Sequence, residues 1–277
     1  MTGSVMGRKG LIFWLLMAVV LFLVLFPLYW ILITALKTPL ENISPVPSLF
    51  PSVISFENFF NVMRSGFFKN LFNSLFVAFT STFFSLVLAF LASYALLRYK
   101  FPFKLNVVFL IWVLVVKILP PMVLSIPLYT MFTKVGLIND LWGLILVYQV
   151  YTLPYCIWML FGFMKSLPLE FEQAAEIDGA SKLKTLTHVV VPLASSGIAA
   201  TAIFSIIIAW DEFLFALLFI RSPRLQTLPL KIVSFITEYE TLWGDLMAIG
   251  LLATIPVLFF SGYYYKRLTE GFSLGLK

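Results

Sequence analysis

Ionisable side chains are scarce in this chain, so the few that interrupt apolar sequence define the chemistry open to it. Lys117 lies inside one apolar run, and the neighbours Asp211 and Glu212, preceded by Trp210, lie inside another. In a hydrocarbon surround such a group costs about 3 kcal/mol or more unless it faces protein or water, so these positions suit ion pairing, proton relay or solute binding. The residues for catalysis are missing. His188 is the only histidine and Cys156 the only cysteine, which leaves no thiolate or imidazole cluster for a metal and no internal disulfide. No G-x-x-x-x-G-K-[ST] loop is present to cradle a nucleotide. The chain reads as a non-enzymatic protein without a cofactor.

The richest polar stretch runs from Lys165 to Pro192, with the core EQAAEIDGASKLKTLTHVVVP. Pro168 suits a first helical turn, and Glu170, Glu172 and Glu176 favour the positive end of that helix. Ala174 and Ala175 allow close approach by another surface, and Asp178-Gly179-Ala180 reads as a turn, since Gly179 can take the left-handed conformation that ends a helix. Ser181 caps a second helix through Leu183 and Leu186 to Pro192, with Leu183 and Leu186 expected on one face. The acidic residues of this helix-turn-helix are expected to be exposed. Its mixed charge argues against a basic helix resting on lipid headgroups and for a protein partner.

The elements that carry these groups follow from composition. The chain has 277 residues, is 61% hydrophobic, 17% aromatic and 12% charged, and carries a net charge of +6; its mean hydropathy is +1.00. That places it in a bilayer. Six runs are long enough to cross a core of about 30 Å as helices: Leu11–Leu36, Leu71–Leu97, Val107–Phe132, Leu141–Met164, Ala194–Ile220 and Leu246–Tyr265. The expected fold is all-α, a single polytopic bundle of residues 1–277 with six transmembrane helices and a cytoplasmic helix-turn-helix at 165–192.

With a cytoplasmic amino terminus, the inner segments hold Arg8, Lys9, Arg98, Lys100, Lys104, Lys165, Lys182, Lys184, Lys266, Arg267 and Lys277. The outer segments hold Lys37, Arg64, Lys69, Lys134, Arg221, Arg224 and Lys231. This asymmetry puts both termini and the 165–192 segment in the cytoplasm, and it explains the basic excess without nucleic acid. The outer loop from Lys37 to Asn70, rich in proline, serine and phenylalanine, is expected along the bilayer surface or against a partner. Pro120, Pro121, Pro127 and Pro154 are expected to kink or break the third and fourth helices and free carbonyls toward a cavity. Lys117, Tyr129, Tyr151, Trp210, Asp211 and Glu212 are the candidate translocation-path residues, with Trp112 and Trp158 as further aromatic platforms.

The 172–192 stretch resembles the EAA signature of ABC-importer permeases. From about Phe72 to Gly275 the chain is similar to the maltose-type carbohydrate branch, in segments such as LPPMVLSIPLYTMFTKVGLINDLWGLILVY and IIAWDEFLFALLF. It looks like the shorter, second permease of the pair. Gln173 stands where the signature has glutamate, Ala174, Ala175 and Gly179 match it, and Val191 replaces the usual leucine before Pro192. AWDEF resembles the family's AWNEF, with Asp211 for asparagine. The resemblance implies an inner-membrane permease for a carbohydrate, in the first instance an oligosaccharide, whose elbow of Glu172, Gln173, Ala174, Ala175, Asp178, Gly179, Ala180, Ser181, Leu183 and Pro192 docks on a separate ATPase. Implied partners are a second, different permease, two ATP-binding subunits and an external solute-binding protein, beside membrane lipid. A permease for glycerol phosphate or a polyamine is the nearest alternative. A proton-coupled secondary carrier built on Lys117, Asp211 and Glu212 is the rival from another class.

Overall fold

A proline pair breaks one apolar run of this chain, while prolines elsewhere lie inside continuous helices. A computed structural model describes the backbone of residues 3–274 and the side chains of residues 12–259 and of Gly262. The side chains of Arg8, Lys9, Tyr265, Lys266, Arg267 and Lys277 lie outside the described residues. The chain divides into two compact units, Met1–Phe67 with Ile232–Ile255, and Phe68–Lys231 with Pro256–Lys277.

In the first unit, α1 (Gly3–Leu36) is a long helix with Pro27 inside it, and almost none of its Ile12–Leu36 stretch is buried. The loop that follows is ordered by polar side chains. Asn58, in α3 (Glu57–Arg64), donates to the Ala35 and Lys37 carbonyls at 2.9 and 2.7 Å and so satisfies carbonyls that the end of α1 leaves open. The short α2 (Pro39–Asn42) is capped by Thr38. Lys37 is buried, donates to the Ser48 carbonyl at 2.6 Å and lies 4.9 Å over the Trp30 ring. Glu41 accepts from the Ser48 hydroxyl at 2.6 Å and from the Ser52 backbone and hydroxyl. Against this frame Leu40, Ile43, Val46 and Phe50 stay exposed.

In the second unit, α4 (Phe67–Arg98) runs 32 residues with neither proline nor glycine. The third apolar run is two helices, α5 (Leu105–Ile118) and α6 (Pro121–Lys134), bent by 98° at Leu119–Pro120. Both break residues are extended because each precedes a proline, and Pro121 has no N–H to continue the ladder. The expected single third span is therefore a broken span or a re-entrant loop. Pro127 and Pro154, by contrast, sit inside α6 and α7 (Leu141–Lys165) without ending them. The fifth run also departs from one helix. It enters through a 72° bend near Ala194, continues as α11 (Ser195–Trp210), stops at Asp211–Phe213 and resumes as α12 (Leu214–Phe219).

Among the described residues, three helices are long and apolar enough to cross a membrane, or five if each bent pair is one span; the apolar Trp243–Phe259 stretch of α14 (Trp243–Leu274) is shorter. Two apolar clusters hold the second unit. One gathers Leu144, Tyr148, Phe215 and Phe219; the other gathers Val113, Cys156, Leu160, Met164 and Val190. Cys156 is fully buried there. Polar side chains also bridge the helices. Ser85 of α4 bonds Gln149 and Thr152 of α7 at 2.6 Å each, and Thr82 bonds Ser205 of α11 at 3.1 Å. Each such bond contributes on the order of 0.6 kcal/mol in a bilayer, where small residues and close contact, more than hydrophobic burial, hold helices together. Gly197 is one such contact: a Cβ there would lie 2.6 Å from Phe163 Cγ.

Candidate docking elbow and path-facing residues

The 165–192 segment forms the expected helix-turn-helix. α8 (Glu170–Ile177) ends on Gly179, whose φ is +80°. The Gly179 N–H donates to the Glu176 carbonyl at 3.0 Å and the Ala180 N–H to the Ala175 carbonyl at 2.9 Å, the paired bonds of a Schellman motif. The Ser181 hydroxyl then accepts from the Lys184 N–H at 3.4 Å and caps α9 (Lys182–Thr185). Leu186–Val190 widens into a π turn just before Pro192, which has no N–H to give back to the preceding turn; the short α10 (Val191–Leu193) completes the elbow.

Most of the expected docking residues face outward. Gln173, Ala174, Asp178, Gly179, Ser181, Leu183 and Pro192 are exposed, while Ala175 and Ala180 are half-buried. Apolar exposure is highest at the tip, where Ile177 is 86% and Leu183 71% exposed. Two expectations are corrected. Leu183 and Leu186 do not share a face: the π turn swings Leu186 onto the inner apolar cluster. Glu172 is not exposed. It is buried against α4, with Arg98 Nη2 at 2.7 Å and Nε at 2.8 Å from one carboxylate oxygen and the Tyr94 hydroxyl at 3.2 Å from the other. An unpaired carboxylate at this depth would be costly, which is why it turns toward the arginine instead of toward a partner. On the second limb, Lys182 Nζ lies 5.2 Å over the Tyr99 ring. Lone His188 is exposed and hydrogen-bonds Thr187 at 2.8 Å.

The path candidates separate into different roles. Glu212 is buried, and its carboxylate accepts from the Phe215 and Ala216 N–H groups at 2.8 and 3.2 Å, so it caps α12. Tyr148 donates to the Glu212 carbonyl at 3.4 Å and tightens the same break. Trp210 is buried and Asp211 is exposed at the end of α11. Tyr151 packs on Phe215 with ring centroids 5.1 Å apart, and Tyr129 accepts a hydrogen bond from Arg221 beside Phe219. Lys117 meets no acid; its Nζ lies 5.3 Å over the Tyr155 ring. Among the described residues no salt bridge joins it to Asp211 or Glu212.

Sequence reading missed Tyr94 and Arg98 as partners of the elbow, although an arginine closing an apolar run of tyrosine and leucine was a signal for a paired, partly buried site. It also missed the clasp at the amino end of α4. Asn73 donates to the Arg224 and Gln226 carbonyls at 3.1 and 3.0 Å, Asn70 donates to Gln226 at 2.9 Å, and the Ser74 hydroxyl accepts from the Leu228 N–H at 2.7 Å. Asn139 accepts from the Arg221 and Ser222 N–H groups at 3.0 and 2.7 Å. Asparagines at the entry of an apolar helix give no hint of which distant loop they will hold.

Known proteins are similar to this chain in sequence and in fold. Residues 85–273 match the family described as binding-protein-dependent transport system inner membrane component. The chain is 34% identical to the diacetylchitobiose uptake system permease protein DasC of Streptomyces coelicolor, over 93% of this chain and 94% of the relative. It is 35% identical to the sulfoquinovosyl glycerol transport system permease protein SmoH of Agrobacterium fabrum, over 91% of this chain and 88% of the relative. In fold it is similar to a chain of a solved bacterial ABC transporter involved in alginate import, with a TM-score of 0.78 at 18% identity, covering 94% of this chain and 96% of that one. By the span of that family match and the near full-length likeness to its relatives, the chain belongs to the inner membrane components of binding-protein-dependent transport systems.

Proposed function

We propose that this chain is one of two different permease subunits of an ATP-driven importer for a carbohydrate, with an oligosaccharide as the favoured class. The observation that carries the reading is the exposed elbow, whose tip presents Ile177, Leu183 and the alanines of α8 while hydrogen bonds fix its shape. A stiff, partly apolar projection fits a cleft in another protein. That partner is a separate ATP-binding subunit, present in two copies, which supplies the hydrolysis this chain has no residues for. Gln173, Ala174, Ala175, Asp178, Gly179, Ala180, Ser181, Leu183 and Pro192 form the docking set. Closure of the ATP-binding pair draws the two permease elbows together and rocks the helices above them as rigid bodies. An external solute-binding protein delivers the sugar to the outer loops. The transport of sugar-containing solutes by the relatives named above supports the solute class.

The topology that goes with this reading has six spans, with α5–α6 and the bent pair ending in α11 each crossing once, and both termini in the cytoplasm. Lys117, Tyr129, Tyr151, Trp210 and Asp211 remain the path candidates, with Glu212 reassigned to capping. The test is reconstitution of the complex in vesicles. Expected are co-purification of the ATP-binding subunit, ATPase activity raised by the sugar-loaded binding protein, and labelling of Ser181→Cys only from the cytoplasmic side. Uptake driven by a pH gradient without that subunit, or labelling of Ser181→Cys from outside, would overturn it.

A further inference from the structure

α4 differs from its neighbours in a way that matters for force. Proline lies inside α1, α6, α7 and α14, and the runs holding α5 and α11 are broken, yet α4 has neither proline nor glycine over its 32 residues. Proline, glycine and inserted breaks are the usual sites of helix bending, so α4 is the stiffest long element of its unit. At a rise of about 1.5 Å per residue it is roughly 48 Å long, the full depth of a bilayer with its headgroups.

Both ends of this helix are tied to other segments by side chains with few alternatives. At its carboxyl end, Arg98 and Tyr94 hold both oxygens of the buried Glu172 carboxylate, and Tyr99 receives Lys182. Both limbs of the elbow therefore end on the same stretch, Tyr94–Tyr99. At its amino end, buried Asn70 and Asn73 hold the carbonyls of Arg224 and Gln226. We infer that α4 is a transmission rod: the Arg98–Glu172 joint couples it to the elbow, and the Asn70–Asn73 clasp couples it to the outer 223–228 segment. This rests on the proposed docking of the elbow and says how motion entering there reaches the far side. A flexible tether would pass on little of a displacement; a charge pair gripped at both oxygens and a doubly bonded asparagine move with their partners. Glu172 and Arg98 are thus positioning residues that act through α4 and touch neither nucleotide nor solute.

The test compares two double variants in the complete transporter, Arg98→Ala/Glu172→Ala and Asn70→Ala/Asn73→Ala. Removing both charges together leaves no unpaired buried ion, which separates transmission from mere folding. Expected for both is retention of the ATP-binding subunit and of affinity for the binding protein, with stimulation of ATPase by the loaded binding protein reduced about tenfold, a typical coupling between distant sites. Wild-type stimulation in either variant overturns the rod. So does loss of the ATP-binding subunit from the first variant, which would mean that the pair only folds the elbow, or loss of binding-protein affinity from the second. A wild-type complex that assembles with no ATP-binding subunit would refute the proposed function and the rod together, whereas the preceding results overturn the rod alone.

Discussion

Gly179 offers the cleanest perturbation of the elbow because two costs that usually mix are separated there. A Cβ built at this position meets nothing within 4 Å, so a side chain has room. The φ of +80° is the whole difficulty. Alanine in the left-handed region costs roughly 1–2 kcal/mol, and asparagine less, because its short amide tolerates that conformation. Since RT is about 0.59 kcal/mol, such a cost raises the open population of the elbow about 5- to 30-fold. Gly179→Pro is far worse: proline requires φ near −65° and deletes the N–H that bonds Glu176 at 3.0 Å. Hydrogen exchange across 170–190 in detergent or nanodiscs reads the opening, and binding-protein-stimulated ATPase reads its consequence. The expected order of loss is asparagine, alanine, proline, with Gly179→Pro inserted in the membrane yet uncoupled. An alanine variant that exchanges like wild type, or an asparagine variant worse than alanine, would refute the backbone argument, because the order would then follow side-chain size or contact.

Three further outcomes test other joints. Gly197→Ala forces a Cβ to within 2.6 Å of Phe163 Cγ and 2.8 Å of its Cβ, near-rigid atoms that cannot swing away, so thermal unfolding should show a loss of about 1–3 kcal/mol, partly recovered when Phe163→Ala is added. Glu212→Ala removes the acceptor for two backbone N–H groups of α12 and should cost about 0.5–2 kcal/mol with uptake falling only in proportion; unchanged stability with abolished uptake would return Glu212 to the solute path. Glu41 is held below the usual carboxylate range by the Ser48 hydroxyl first, against some opposing burial, and then by Ser52 and Lys37. Its folded value lies below its unfolded one, so the loop after α1 gains order above the ordinary carboxylate value and loses it as pH falls through the lowered one. Pepsin cleavage of residues 43–56 should therefore rise as pH falls through the lowered carboxylate range, and Glu41→Gln should flatten that profile.

Bilayer residence, the helical class and the elbow were legible because each rests on local pattern. Twenty apolar residues need a helix whatever surrounds them, and a glycine followed by a serine cap marks a turn in any context. The Leu119–Pro121 break was legible for the same reason: proline acts on its own backbone. What sequence could not show was which polar side chains find each other across the fold. Glu172 looked like one more exposed acid of an amphipathic helix, because nothing within reach along the chain marks Arg98, 74 positions earlier, as its partner. Glu212 looked like a charge beside the solute path, because no proline or glycine in the sequence marks the stop at Asp211–Phe213 that makes it a cap. Both misreadings have one physical origin. A carboxylate in a low-dielectric surround must be satisfied, and local sequence reveals that need without revealing what meets it. In this chain the needs are met by an arginine at a helix end and by two backbone N–H groups at a helix start. Both joints are therefore parts of the frame, and of the ionisable groups first singled out within the apolar runs, Lys117 and Asp211 are the ones the proposed function keeps as candidates for the solute path.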